Sequence, residues 1–429
     1  MPAFSGKEQI MAIFRPRGTN DFLPADTAKW QELEALLRTM CREYGFGEIR
    51  TPLFEETELF QRGVGETTDI VQKEMYTFTD HGGRSLTLRP ENTASACRAY
   101  VEDKLYGQVQ PIKLYYMGPM FRYEKPQSGR FRQFHQFGIE IFGSASPAAD
   151  AEIIAFAWDL YQNRLGLKNL RLLLNSVGCP ECRAAYRKAL QDYFRPRYDE
   201  LCETCKSRFE RNPMRILDCK SAEDQEIAKD APLITDYLCD DCRAHFQQVK
   251  AMLDAADIPY ELDPRLVRGL DYYTKTAFEI QVATIGAQSA VCGGGRYDGL
   301  IKEIGGESTP GVGFALGMER VFSALAAQGS DIETEDQLDV YLVVAGSAAS
   351  AAAFRLADQL RRAGLTCEMD YADKSFKAQL KAANRLQADW AVIIGEDELK
   401  SGAATVKNMG DGSQESVPLE RVKQYLLEK

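Results

Sequence analysis

The chain has 429 residues, 45% of them hydrophobic and 27% charged, with a formal net charge of −11. The length suggests two or three domains, the composition is ordinary for a soluble globular protein, and no apolar run approaches the ~18 residues a membrane helix needs. The acidic balance argues against indiscriminate coating of nucleic acid but leaves room for a local basic surface.

At the N-terminus, residues 1–14 lack a signal-peptide core, and Met1 and Met11 are both candidate starts. A Pro/Gly-rich segment over 15–24 leads to a helix after Asp26 and Thr27. There Trp30, Leu33, Leu36, Leu37, Met40 and Tyr44 recur at helical spacing. Gly45 and Gly47 end it, and a strand is predicted over 48–52. Residues 63–80 read as a polar loop running into a strand. A further strand over 86–90 ends in Pro90 and presents Glu91, Asn92 and Thr93 at the start of a helix. Thr93 and Asn92 suit helix capping, and the Glu91 carboxylate suits a substrate ammonium group.

Residues 115–121 and 131–142 predict two strands around the turn Gln127-Ser128-Gly129. The second strand alternates aromatic with polar residues, so one face is expected to be buried and the other polar. The polar set is Arg122, Glu124, Lys125, Arg130, Arg132, His135, Gln136 and Glu140. Arginine forks match phosphate oxygens, and a ring such as Phe134 can stack on a base.

A helix and a strand are predicted over 150–175. Residues 176–258 then carry seven of the eleven cysteines, many charges and few strand signals. They read as a mostly helical insertion between strands of the main sheet. Without a secretion signal, the cysteines fit a reducing cytoplasm, where Cys-x-x-Cys pairs suggest metal before disulfides. The pairs Cys179/Cys182 and Cys202/Cys205 have zinc-site spacing. Alternatively Cys179, Cys182, Cys239 and Cys242 clamp the neck of the insertion, leaving Cys202, Cys205 and Cys219 as a trio. The neck clamp is slightly favoured as a candidate structural zinc site, because four thiolates leave no open position for catalysis; reduced, metal-free thiols are the alternative.

Arg268 precedes a Gly-containing bend, then Tyr272 and Tyr273. If extended, these tyrosines point to opposite faces, one to pack and one to line a pocket. Residues 293–299 (GGGRYDG) read as a turn where backbone approaches something closely. Residues 310–321 read as a glycine-rich strand entering a helix, with Arg320 in its first turn or two. An acidic linker over 327–337 precedes alternating strands and helices from 338 to 429, a small α/β domain. In it Lys374, Lys377, Lys381 and Arg385 fall three and four apart on one face.

Phe-Arg-x-Glu at 121–124, a short loop, and Arg-x-x-x-Phe at 130–134 resemble motif 2 of the class II aminoacyl-tRNA synthetases. The helix and strand before Pro52 are similar to motif 1, the dimer-forming element, and Gly-Met-Glu-Arg at 317–320 is similar to motif 3. Between motifs 2 and 3, Arg-Gly-Leu-Asp-Tyr-Tyr at 268–273 resembles the signature of the histidyl-tRNA synthetase family. The resemblance covers residues 11–429. It implies an α+β fold, with an antiparallel-sheet catalytic core over 11–175 and 259–326, the helical insertion over 176–258, and an anticodon-binding domain over 338–429.

The same resemblance implies a cytoplasmic homodimeric ligase that joins L-histidine to histidine tRNA through a histidyl-adenylate made from ATP. Magnesium is expected with ATP, although no dedicated acidic cage is visible. Arg122 and Arg268 would be catalytic. Glu91, Asn92, Thr93, Arg122, Gln136, Glu140, Arg268, Tyr272 and Tyr273 would bind histidine, with Glu140 and Tyr273 on its ring and Glu91, Thr93 and Gln136 at its α-amino end. Arg122, Glu124, Arg130, Phe134 and Arg320 would bind ATP. The alternative is a catalytically inactive, histidine-binding regulatory paralogue of ATP phosphoribosyltransferase. Retention of the phosphate arginines favours the enzyme, and residues 266–273 argue against another class II specificity such as proline or threonine.

Overall fold

In a computed structural model, residues 13–65, 68–125, 130–219, 221–283, 290–334 and 338–429 are described. Strands Ile112–Phe121 and Gln133–Phe142 form an antiparallel pair in unbroken register, from Ile112 opposite Phe142 to Phe121 opposite Gln133. Their turn at 127–129 lies outside the described residues. The period-2 pattern divides the second strand. Phe137, Ile139 and Ile141 enter the main core, whereas Gln136 and Glu140 line a cavity and are buried as well. The polar face is therefore enclosed by protein.

This pair belongs to an eight-stranded sheet. From one edge the order is Gly47–Glu48, Ile112–Phe121, Gln133–Phe142, Gly311–Gly317, Ala290–Arg296, Thr274–Val282, Leu170–Ser176 and Glu261–Leu262. Every pairing is antiparallel except the one at each edge. Helices Pro24–Glu43, Pro147–Asp159, Asp240–Ala255 and Met318–Ala327 supply the core against it, with Leu33, Leu37, Met40, Ile153, Phe156 and Val321 fully buried. A smaller three-stranded sheet joins Phe54–Glu56, Ser85–Leu88 and Tyr76–Thr79.

Two local expectations fail for identifiable reasons. The strand predicted over 48–52 is only Gly47–Glu48. Beyond it the Arg89 guanidinium donates to the Thr51 carbonyl at 3.1 Å and to Pro52 at 3.4 Å, so a side chain takes the place of a ladder. The glycine run predicted as a turn is the interior of strand Ala290–Arg296. A Cβ at Gly294 would sit 2.2 Å from the Gly313 carbonyl oxygen on the neighbouring strand, so close backbone approach explains the glycine. The run ends at Arg296, whose fully buried guanidinium donates to Asp150 at 3.1 and 3.2 Å and to the Ser144 carbonyl at 2.8 Å.

The Cys-rich segment is helical, with Pro180–Phe194, Glu203–Arg211 and Ala222–Ala228 around a core of Tyr186, Leu190, Phe194, Phe209 and Ile216. Helix Asp240–Ala255 serves two cores. Cys242 joins the insertion, whereas Phe246, Val249 and Leu253 pack in the main one. His245 Nε2 lies 3.2 Å from Asp150 on helix Pro147–Asp159.

The chain divides into two compact units, Met1–Ile332 and Glu333–Lys429. The second has a five-stranded sheet ordered Cys367–Met369, Val340–Val344, Trp390–Ile394, Ala403–Asn408 and Gln414–Pro418. The first three strands are parallel and the last two antiparallel. Helix Glu396–Ser401 joins the third and fourth of these strands, and the antiparallel pair Ala403–Asn408 and Gln414–Pro418 departs from strict strand–helix alternation. Helix Phe376–Arg385 exposes Lys377, Lys381 and Arg385; Lys374 precedes the helix and lies 3.6 Å from Asp370. Among the described residues, no helix is long and apolar enough to cross a membrane.

Candidate active site

The sheet's polar face opens into a cavity of about 380 Å³. Arg122, Arg130, Arg268 and Arg320 all line it, although they come from three separate stretches of sequence. Glu91, Thr93, Glu124, Phe134, Gln136, Glu140, Tyr272 and Tyr273 line it too. Asn92 is the exception among the expected residues. Its Oδ1 accepts from Thr51 Oγ1 at 2.6 Å and from the Arg89 guanidinium at 3.0 Å. The expected histidine contact is corrected: Asn92 does not line the cavity, and its oxygen braces the segment at Thr51 through Thr51 and Arg89.

Glu91 acts as the helix cap that Thr93 and Asn92 were expected to supply. Its carboxylate accepts from the backbone N–H of Thr93 at 2.8 Å and of Ala94 at 2.9 Å, at the start of helix Thr93–Glu102. Burial raises its pKa against those bonds. The helix terminus thus holds the carboxylate at the cavity wall.

Glu140 is the most constrained group. It accepts from the Tyr116 hydroxyl at 3.1 Å, and the Tyr297 hydroxyl donates to its other oxygen. Burial pushes its pKa up to about 8. Glycines make the room: a Cβ on Gly313 would fall 1.8 Å from Glu140 Oε2, and one on Gly138 would fall 2.4 Å from the Tyr116 hydroxyl. Beside it Gln136 has its Oε1 buried without a protein partner among the described residues.

Tyr272 and Tyr273 depart from the extended geometry expected of them. They sit in a turn before strand Thr274–Val282, their ring centroids 4.7 Å apart, and both are buried. The bend lets both line the cavity instead of splitting them between two faces.

The arginines are held differently. Arg122 Nε donates to the Pro90 carbonyl at 2.8 Å, and its guanidinium lies 5.3 Å from the Phe134 ring centroid. Arg130 donates to Glu124 Oε2 at 2.8 Å. Arg320, in the first turn of helix Met318–Ala327, donates to the Ala290 carbonyl. Burial lowers its pKa, and Arg130 adds to that. Arg268 pairs with Glu279; burial opposes its charge, yet Glu279 carries the net shift upward. A Cβ on Gly293 would fall 2.1 Å from the Arg268 guanidinium, so this glycine too makes space for a side chain.

Sequence reasoning gave no role to Tyr116, Tyr297, Glu279, Glu319 and Asp218. Glu279 was findable, since it shares a strand face with Gln281, whose amide donates to it at 2.8 Å. Glu319 directly precedes Arg320 and receives the His135 backbone N–H at 2.9 Å. Asp218 carried no signal, because it lies in the insertion and reaches the cavity only through the fold.

All eleven cysteines are free thiols. Seven of them fall into two clusters, each with four donor atoms within 4.8 Å of one another: Cys179, Cys182, Cys239 and Cys242, and separately Cys202, Cys205, Cys219 and Asp224. In the first, Cys179 Sγ lies 3.5 Å from Cys182 Sγ and 3.9 Å from Cys239 Sγ.

An antiparallel sheet that gathers arginines from a central strand pair and from a glycine-rich strand–helix junction around one cavity defines the class II aminoacyl-tRNA synthetases. Comparison with known proteins narrows the class. The sequence pattern described as Histidyl-tRNA synthetase matches residues 18–321, and that described as Anticodon binding domain matches 339–429. The chain is 58% identical over 419 residues to the histidine–tRNA ligase of Pelotomaculum thermopropionicum, covering 98% of each chain. It is 58% identical over 409 residues to that of Desulforamulus reducens, covering 95% of this chain and 97% of the relative. The structure resembles apo histidyl-tRNA synthetase of S. aureus at a TM-score of 0.83 and 43% identity, covering 97% of this chain and 100% of the other. The chain belongs to the histidyl-tRNA synthetase family.

Proposed function

We propose that the chain is a histidine–tRNA ligase that first activates L-histidine with ATP and then esterifies the terminal adenosine of histidine tRNA. The observation that carries this reading is the meeting of four arginines with Glu140 and Tyr273 around one cavity. Relatives at 58% identity carry the name histidine–tRNA ligase over nearly the whole chain. The likeness to an ATP phosphoribosyltransferase regulatory subunit/histidyl-tRNA synthetase is at 20% identity and speaks to fold alone, so the regulatory alternative is not favoured.

In the activation step a histidine carboxylate oxygen bonds to the α-phosphorus, the bond to the bridging oxygen breaks, and pyrophosphate leaves with that electron pair. Both reactants are anionic, so fixed cations must stabilise the added charge. Arg122 and Arg268 take that role, each pre-oriented by its own partner, Pro90 or Glu279. Arg130 and Arg320 hold the outer phosphates, Glu124 binds adenine, and Phe134 stacks on it. Magnesium arrives with the nucleotide. Positioning dominates because the protein forms no covalent bond.

Glu140 and Tyr273 read the imidazole, while Glu91, Thr93 and Gln136 hold the α-amino end. The Gln136 oxygen, which has no hydrogen-bond partner among the described residues, is a ready acceptor for an ammonium hydrogen. A buried carboxyl left unpaired by an apolar analogue gives the discrimination. The clusters fit the rest of the reading: a zinc ion at Cys179, Cys182, Cys239 and Cys242 clamps the insertion's neck. Two copies pair through the motif 1 helix and strand in the cytoplasm, with sedimentation as the check.

Histidine-dependent exchange of labelled pyrophosphate into ATP, followed by charging of histidine tRNA, tests the assignment. Arg268→Ala is expected to lower exchange turnover by about 10²–10³-fold, as loss of one transition-state charge contact does, while ATP binding weakens much less. Equal losses in both would make Arg268 a plain binding residue, and absence of exchange in the unaltered protein would remove the enzyme reading.

A further inference from the structure

The second cluster has no part in the catalytic reading. Cys202 and Cys205 open helix Glu203–Arg211, Cys219 lies beyond the short turn Pro213–Ile216, and Asp224 stands in the first turn of helix Ala222–Ala228. Cys205, Cys219 and Asp224 are buried. Cys202 Sγ lies 3.8 Å from Cys219 Sγ, and Cys219 Sγ lies 3.0 Å from Asp224 Oδ2. Zinc–sulfur bonds of about 2.3 Å in a tetrahedron place sulfurs about 3.8 Å apart, whereas a disulfide requires about 2.05 Å. A zinc-bound sulfur and carboxylate oxygen would stand about 3.5 Å apart, so a half-ångström opening at Asp224 admits the ion.

The surroundings already hold the donors in place. The Cys202 backbone N–H donates to Asp224 Oδ1 at 3.0 Å, and the Ser221 N–H donates to Cys219 Sγ at 3.5 Å. Among the described residues no lysine or arginine pairs with Asp224, although its carboxylate is fully buried. Four zinc-ligand atoms, three sulfurs and a carboxylate oxygen, thus converge within 4.8 Å of one another, a donor set and spacing that suit zinc once the thiols give up their protons to it.

We propose that Cys202, Cys205, Cys219 and Asp224 bind a second structural zinc ion, distinct from the one at the insertion's neck, and that it fastens the strap carrying the active-site wall. The strap is the chain between the ligands. Within it Arg215 donates to the Arg268 carbonyl at 2.8 Å, and Asn212 donates to Asp271 at 3.0 Å. Arg208 lies 3.4 Å from Asp69. Asp218, next to the ligand Cys219, lines the catalytic cavity. The ion is four-coordinate and closed, so its role is positioning.

The test uses the full-length protein purified under reducing, chelator-free conditions. Elemental analysis is expected to find about two zinc ions per chain, and zinc X-ray absorption about 3.5 sulfurs per ion, the average of an S4 and an S3O site. Asp224→Ala should lose about one zinc and keep a pure sulfur shell, whereas Asp224→Cys should keep both. Cys239→Ser should lose the other ion and leave an S3O shell. Pyrophosphate exchange should fall in Asp224→Ala and recover in Asp224→Cys. One zinc in an all-sulfur shell, lost in Cys239→Ser and kept in Asp224→Ala, would overturn the second site while sparing the first. No zinc, or a Cys202–Cys219 disulfide in the mass spectrum, would overturn it as well. The unaltered protein alone decides the matter if a variant fails to fold.

Discussion

Burial holds the Glu140 carboxyl at a pKa of about 8, so near neutral pH the free protein keeps a proton there. The unfolded chain would release it above about 4.5. Between these values the native state binds more protons than the unfolded one, so stability falls as pH rises, by up to about 1.4 kcal/mol per pH unit. Glu140→Gln mimics the protonated form. It should melt above the unaltered protein at pH 8 and match it below pH 4.5, as thermal unfolding across that range would report. Binding has its own sign. Free imidazole titrates at roughly 6.5, and one proton shared between ring and carboxyl suffices for the pair. Histidine affinity should therefore peak between about 6.5 and 8, weakening below as a proton must leave and above as one must be taken up. The KM for histidine in the exchange assay checks this, and Glu140→Gln should lose the alkaline limb. At this scale the hairpin's alternation picks out Glu140; the hydroxyls of Tyr116 and Tyr297, whose hydrogen bonds work against the effect of burial, meet it only once the sheet forms.

At the scale of elements, the glycine run in Ala290–Arg296 teaches the most. Consecutive glycines read locally as a turn, yet the strand needs them because Gly293 faces a guanidinium and Gly294 faces a backbone. Gly294→Ala would drive a Cβ against the Gly313 carbonyl and Phe314. The expected cost is about 1–3 kcal/mol from overpacking, read as a lower denaturant midpoint. Exchange activity should fall with it, since the displaced strand carries Gly293 beneath Arg268. The helices were easier to read. Trp30 through Tyr44 mark one helix face by periodicity alone, and helix Pro24–Glu43 follows it. The strand expected over 48–52 stops at Glu48, and the Thr51 and Pro52 carbonyls are taken by Arg89, a residue far along the chain.

For the molecule as a whole, every residue lining the catalytic cavity falls within Met1–Ile332. The unit Glu333–Lys429 has its own core of Val340, Leu342, Leu356, Leu360, Val392 and Ile394. A chain ending at residue 332 should therefore retain histidine-dependent pyrophosphate exchange within about tenfold, while charging of tRNA falls by more than 10²-fold. The second loss is expected because that unit matches an anticodon-binding domain and exposes Lys377, Lys381 and Arg385 on one helix, candidate partners for tRNA phosphates. Exchange lost together with charging would show that the second unit is needed for the chemistry itself.

The sequence by itself determined the order of the motifs, the helical insertion, the α/β C-terminal unit and most of the residues that line the cavity, because periodicity and motif spacing are local properties of the chain. Only the tertiary structure decided that Asn92 braces a loop, that Glu91 caps a helix, that Glu140 is protonated by burial, and that Asp224 completes a cysteine trio. Each of those depends on which distant groups share a buried volume, and burial with its hydrogen bonds, not sequence neighbourhood, fixes charge and coordination.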